Sequence, residues 1–384
     1  MATIAVNGTG RGDVTAHGGT TMPTDEQPVL DLGPVTGSSF GRPVNYVAFR
    51  YRHHSPHSGY ARLAEYGGRH FAGETITVAK PLSRRIIRER MLWRLAKGTP
   101  GYDRAAMAAE LAVARRALRT RDAIFHFLYG EKTYHYAGRL NGVRGNRLLA
   151  TFHLPPDGLR HAVQVDWHLR QLAGVVCVGR NQQNYFADLL GPDRVFFAPL
   201  GVDTAYFTPP ADEARDPDLC VFVGENYRDY PTLRGVIELV AYRRPGTRFV
   251  GVTTPAAAQQ LGKHPNLTIL SGIAEEELRR LYRTAALHVM PLHDCTANNA
   301  VLEGMACGLP MIASDVGAIR DYTSQQATVY VPRDDARAMA DVVLDLLDAP
   351  GARVQLGQAS RAHALKFAWP HVVAGLESIY SNVI

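Results

Sequence analysis

The 384-residue chain is 46% hydrophobic and 20% charged, which suits a globular protein of roughly two or three domains. That balance excludes disordered, collagen-like and coiled-coil classes as descriptions of the whole chain. A net charge of +6 admits nucleotide phosphates, nucleic acid or an acidic membrane surface as partners without choosing among them. No run of about 18 apolar residues appears, and the N-terminus has no basic stretch followed by an apolar one. The expectation is a cytoplasmic protein with neither a spanning helix nor a secretory signal. Cys177, Cys220, Cys295 and Cys307 form no C-x-x-C pair and read as buried free thiols.

In chain order, residues 1–40 are rich in Gly, Thr, Asp and Pro without a hydrophobic period, and are predicted to form a poorly ordered leader. From residue 41 short apolar runs alternate with helical patterns, which predicts parallel sheets covered by helices. In an N-terminal domain over 41–207, strands are expected at 44–49, 75–79, 123–128, 148–152, 175–178 and 195–198. After the first strand comes Arg52-His53-His54-Ser55-Pro56-His57-Ser58-Gly59-Tyr60. Its three histidines have no carboxylate or cysteine at ligand spacing, so metal binding is not favoured. Ser58 and Gly59 are expected to open a helix near an acceptor or a phosphate, or Ser58 simply to cap it. Residues 82–98, LSRRIIRERMLWRLAKG, form a basic amphipathic pattern that suits either an anionic leaflet or an ordinary wet helix face. Glu131 ends one strand as an acceptor-side candidate, and His153 ends another at the predicted cleft.

Residues 208–218 contain three prolines and four acidic groups and read as a linker. A second domain over 219–367 is predicted, with strands at 219–223, 248–252, 267–270, 287–290, 311–314 and 327–331. Two doubly wound domains of similar size put the carboxyl ends of both sheets beside one cleft. The densest signal is PLHDCTANNAVLEGMACGLPMIASDVGAIRD, residues 291–321. A strand ends, a polar turn of Thr296, Ala297, Asn298 and Asn299 follows, and a helix runs from Ala300 to Cys307 before Gly308 and Pro310 stop it. Free backbone N–H groups at that helix start suit a diphosphate. Glu303, one turn inside, suits the vicinal hydroxyls of a ribose; the plainer alternative is an asparagine cap with Glu303 in solvent.

This segment resembles the donor-site signature of retaining GT-B glycosyltransferases, glycosyltransferase family 4. Gly201-Val202-Asp203 with Phe207 is similar to the family's G-V-D-x-x-x-F segment, and Leu309 to Gly317 is similar to the strand and glycine turn after its donor helix. The resemblance implies a GT-B fold of two Rossmann-like domains, with residues 368–384 forming a helix that returns to the N-terminal domain. It implies retaining, hexosyltransferase-type sugar transfer from a nucleotide-diphosphate sugar to a glycan, lipid or small-molecule acceptor, without metal or other cofactor; nucleic acid is not expected as a partner because no recognised module or stacking platform accompanies the basic charge. It assigns His153 to the reacting sugar, Glu303 to the ribose and Gly317 to a close approach of the donor. Two positions depart from the pattern. The first glutamate of the family's E-x7-E falls on Cys295, so its contact with the sugar passes to Asp294, Asn298, Asn299 or backbone amides. In the loop from Gly224 to Asp229, Glu225 stands where an arginine is usual, and Arg228 becomes the diphosphate's cation. These departures keep open a catalytically weak binding subunit, and a nucleotide-sugar epimerase is a further alternative; residues 82–98 keep open a peripheral membrane contact.

Overall fold

The computed structural model describes residues 40–49, 55–77, 94–97, 99–211 and 215–384. The leader, His53, His54 and nearly all of the 82–98 segment lie outside the described residues. Two six-stranded sheets form the two domains. The first contains β1 (Val44–Val47), β2 (Thr75–Ile76), β3 (Ile124–Phe127), β4 (Arg147–Phe152), β5 (Gly174–Cys177) and β6 (Val195–Phe197), in the order β2-β1-β3-β4-β5-β6. The second contains β7 (Asp216–Val223), β8 (Arg248–Val252), β9 (Leu267–Leu270), β10 (Ala285–Met290), β11 (Met311–Ser314) and β12 (Thr328–Val331), in the order β12-β11-β10-β7-β8-β9. All pairings are parallel, as in Tyr46 opposite His126 and Leu287 opposite Cys220. The central strands are buried along their length, which is why the apolar runs of β3 and β10 are nearly unbroken.

The helices are α1 (Arg62–His70), α2 (Arg104–Ala117), α3 (Pro156–Ala162), α4 (Gln183–Leu190), α5 (Tyr230–Arg243), α6 (Pro255–Ala258), α7 (Glu275–Thr284), α8 (Asn299–Ala306), α9 (Ile319–Tyr322), α10 (Ala336–Asp348), α11 (Pro350–Ala364) and α12 (Trp369–Asn382). Several start on side chains that satisfy their first N–H groups: Asp103 accepts from Ala105 and Ala106, Asp229 from Thr232, and Asp335 from Ala338.

Two expectations need correction. Asp216, Pro217 and Asp218, assigned to a linker, belong to β7; the carboxylates of Asp216 and Asp218 pair with Arg248 and Arg244, so acidity there marks ion pairs at a strand start. The helix expected to open at Ser58 begins at Arg62, after a loop in which Gly59 has φ +93°.

The last helix packs on the N-terminal sheet. Tyr380 Oη lies 2.8 Å from His126 Nδ1, and its ring is 5.2 Å from that of Phe71. Trp369 is buried between Tyr66, stacked at 6.2 Å, and Tyr60, edge-on at 6.1 Å. Removing a fully buried indole leaves a cavity as well as losing transfer energy. Trp369→Ala should therefore cost about 3–5 kcal/mol, read as a lower midpoint in the first urea transition. An unchanged midpoint would show that α12 is not needed to hold the N-terminal domain.

Candidate functional site

In the second sheet the strand order reverses between β7 and β10, and in the first between β1 and β3. Such switch points open a crevice at the carboxyl ends of the strands. The loops that follow β7 and β10 carry Arg228 and the polar turn, and the loop after β1 carries His57 and Ser58.

Arg228 is fixed by backbone. Its Nε and Nη2 donate to the Val223 carbonyl at 2.9 and 2.6 Å, its Nη1 to the Asn226 carbonyl at 2.9 Å, and its Nη2 also to Asn298 Oδ1 at 3.3 Å. Gly224, at φ +96°, makes this possible, because a Cβ there would sit 2.5 Å from Nη2. Among the described residues no carboxylate comes within ion-pair distance of Arg228. Glu225 turns away to accept from Thr254 Oγ1 at 2.6 Å. A fixed cation thus stands beside the start of α8, whose cap residue Asn298 makes no side-chain bond to the helix. The first N–H groups of that helix stay available to an anion.

Glu303 lies within α8 and is 4% exposed, so it is not the solvated side chain of the plainer alternative. Ser58 Oγ donates to its Oε1 at 2.5 Å and Tyr282 Oη to its Oε2 at 3.3 Å. Burial pushes its carboxyl up to about 7, against the lowering effect of the Ser58 bond. His57, Ser58, Asn299 and Glu303 line a narrow space of about 160 Å³ between the domains.

Sequence reasoning missed the bonds that Glu275 makes across this gap and the network that Asp203 makes beside it within the N-terminal domain. Glu275, at the start of α7, accepts from the Ser55 hydroxyl and from the His57 N–H at 3.1 Å. Asp203 Oδ2 pairs with His57 Nδ1 at 2.7 Å and with Arg62 Nη2 at 3.2 Å. The His57 ring stacks on Tyr206 at 3.7 Å, so it is held by a carboxylate and an aromatic face. No local pattern reveals such pairs, since Glu275 reads only as an acidic helix start and its partners lie about 220 residues away.

On the facing side, Glu131 Oε1 accepts from the N–H groups of His153 and of Leu154, the latter at 2.9 Å, and so shapes the end of β4. His153 Nε2 donates to the Leu128 carbonyl at 2.7 Å. The carbonyl of His153, the residue assigned to the reacting sugar, accepts from the Thr296 hydroxyl. Cys295 is buried, its thiol bonded to the Thr296 carbonyl at 2.8 Å and pushed up to about 12 by burial. Asp294, half-buried, accepts from the Cys295 N–H at 2.7 Å. Gly317, at φ +53°, serves this turn: a Cβ would fall 2.2 Å from Asp294 Oδ1 and 2.3 Å from the Cys295 carbonyl. Its missing side chain makes room for the polar turn, where a close approach of the donor was expected.

Residues 218–349 match the model of the family described as glycosyl transferases group 1. The C-terminal domain belongs to that family. Among relatives, the D-inositol 3-phosphate glycosyltransferase of Acidothermus cellulolyticus is 30% identical over 233 residues, covering 51% of this chain and 50% of the relative. The enzyme of that name from Mycolicibacterium smegmatis is also 30% identical, covering 48% and 46%. The chain thus spans about half the length of these relatives. Among solved structures, sucrose-phosphate synthase from Thermosynechococcus elongatus superposes with a TM-score of 0.63 at 17% identity, covering 88% of this chain and 98% of that one. Anabaena Alr3699/HepE in complex with UDP-glucose does so with 0.62 at 12%, covering 88% and 99%. The fold is GT-B.

A carboxyl whose native pKa is raised binds its proton more tightly in the folded state, so the stability it contributes is complete below its unfolded value near 4.5 and is lost as pH rises through about 7. The difference is about 3 kcal/mol. Glu303→Gln should therefore flatten the fall in urea midpoint between pH 5 and pH 8. Parallel pH curves for variant and parent would remove Glu303 as the source.

Proposed function

We propose that this protein transfers a sugar, with retention of configuration, from a nucleotide-diphosphate sugar to an acceptor hydroxyl. The observation that carries the reading is the row formed by Arg228, the uncapped start of α8 and the buried Glu303. It presents a cation, aligned N–H donors and a carboxylate in the order of a diphosphate and its ribose. The group 1 match over this domain and the UDP-glucose named for the HepE structure support the same assignment.

In this reading Ser58 gives up Glu303 when the donor enters, and the ribose hydroxyls take its place. Arg228 and the N–H groups of Ala300 and its neighbours bear the charge that grows on the leaving diphosphate. The acceptor enters from the N-terminal side, beside Glu131 and His153. Its hydroxyl attacks the face from which the diphosphate departs, and the leaving oxygen takes the proton, so neither a carboxylate nucleophile nor a catalytic metal is required. Asp294, Asn298 and Asn299 take the sugar hydroxyls in place of the carboxylate missing at Cys295. Ser58, Gly59, Gly224, Thr296, Ala297 and Gly317 shape the walls.

Calorimetry with UDP-, GDP-, dTDP- and ADP-sugars in EDTA should show one donor bound, and its affinity should fall in Glu303→Ala. With that donor, Arg228→Ala should lower turnover by about 10²–10³-fold. Absence of binding by every donor would sink the reading in favour of a non-catalytic GT-B protein, and near-parental turnover in Arg228→Ala would remove the arginine from the diphosphate.

A further inference from the structure

Three loops at the carboxyl edge of the second sheet bring together Asp229, His293 and Asp334. Asp229 precedes α5 and its side chain is 1% exposed; His293 follows β10, and Asp334 follows β12 with a left-handed backbone at φ +60°. His293 Nε2 lies 3.8 Å from Asp229 Oδ1, and His293 Nδ1 lies 3.7 Å from Asp334 Oδ1. Both separations exceed a hydrogen bond. One ligand atom from each residue lies within 4.8 Å of the other two.

Two buried atoms of this cluster, Asp229 Oδ2 and His293 Nδ1, have no hydrogen-bond partner. Two others are taken: Asp229 Oδ1 accepts from the Thr232 N–H at 3.0 Å, and Asp334 Oδ2 pairs with Arg333 Nε at 3.1 Å. A carboxylate oxygen buried without a partner is costly, and two carboxylates facing one imidazole call for a cation between them. A simple imidazolium pair does not answer that call, because its N–H groups stop short of both acids. A dication does, held by one ring nitrogen of His293 and one oxygen from each acid, since the two nitrogens of one imidazole point apart and cannot share an ion.

We propose that Asp229, His293 and Asp334 bind one transition-series dication of the Zn²⁺ type. The imidazole ligand selects against Mg²⁺ and Ca²⁺, which prefer oxygen shells. The side chains of His293 and Asp334 are 43% and 58% exposed, so the further coordination positions open to water. The ion has a structural role. The His293 N–H donates to the Tyr227 carbonyl at 2.9 Å and the Asp229 N–H to the Pro291 carbonyl at 3.0 Å, so the clamped loops are the ones that carry Arg228 and Asp294. This site is separate from the histidines after β1, of which His57 is bound to Asp203.

The test uses the full chain, stripped with EDTA, dialysed and free of nucleotide, titrated with Co²⁺ by absorption and with Zn²⁺ by calorimetry. One equivalent should bind with d–d bands of a nitrogen and oxygen ligand set, no thiolate charge-transfer band, and a raised melting temperature. Asp229→Asn preserves the helix cap and Asp334→Asn tolerates the left-handed backbone, so both variants keep the fold while each weakens binding at least about tenfold. His293→Ala should abolish it. Absence of stoichiometric binding, a thiolate band, or an affinity unchanged in Asp334→Asn would overturn the proposal.

Discussion

Parallel strands confine the chemistry of this molecule to one edge of each sheet. Each strand must be followed by a crossing that returns the chain to the starting edge, so the loops at the carboxyl edge are spared the work of joining neighbouring strands. Where the strand order reverses, two such loops diverge and leave a crevice. In the second sheet those loops are the ones after β7 and β10, and they carry Arg228, Asp294 and the start of α8. The position of the candidate site is thus a consequence of topology.

Charge then decides how the two domains meet. Glu303 is buried near the middle of the interface, and a carboxylate there needs donors. Ser58 from the facing domain and Tyr282 from its own supply them, while Glu275 reaches across to Ser55 and His57. These hydroxyls occupy the carboxylate that the proposed ribose would satisfy.

All twelve described strands coincide with apolar runs visible in the sequence, because a strand covered on both faces has little room for polar residues. Their ends were less legible. β7 starts three residues before its expected position, since ion pairs to Arg244 and Arg248 let acidic residues occupy a strand. The local part of the site was readable too: α8, Glu303 and the Arg228 loop each announce themselves within a dozen residues. Partners across the gap were not, because Ser58 and Glu303 are 245 residues apart and nothing near either one names the other. Serine commonly caps helices, so Ser58 reads as a helix start, whereas its hydroxyl is bonded to Glu303.

The departures from the family pattern are explained by the same geometry. Replacing a carboxylate with Cys295 removes a charge from a position that faces inward, and the thiol bonds to the Thr296 carbonyl within the turn. Asp294 then holds the turn's outer side, and Gly317 is required because Asp294 and Cys295 press against it. Arg228 does not stand where the usual arginine would, yet carbonyls of β7 and its loop fix its guanidinium, and Asn298 ties it to α8. An arginine held by carbonyls keeps its full charge, whereas one paired with Glu225 would have to break that pair before meeting a phosphate. The bond from Glu225 to Thr254 therefore matters as much as the arginine itself: it holds aside an acid that would otherwise oppose an anion.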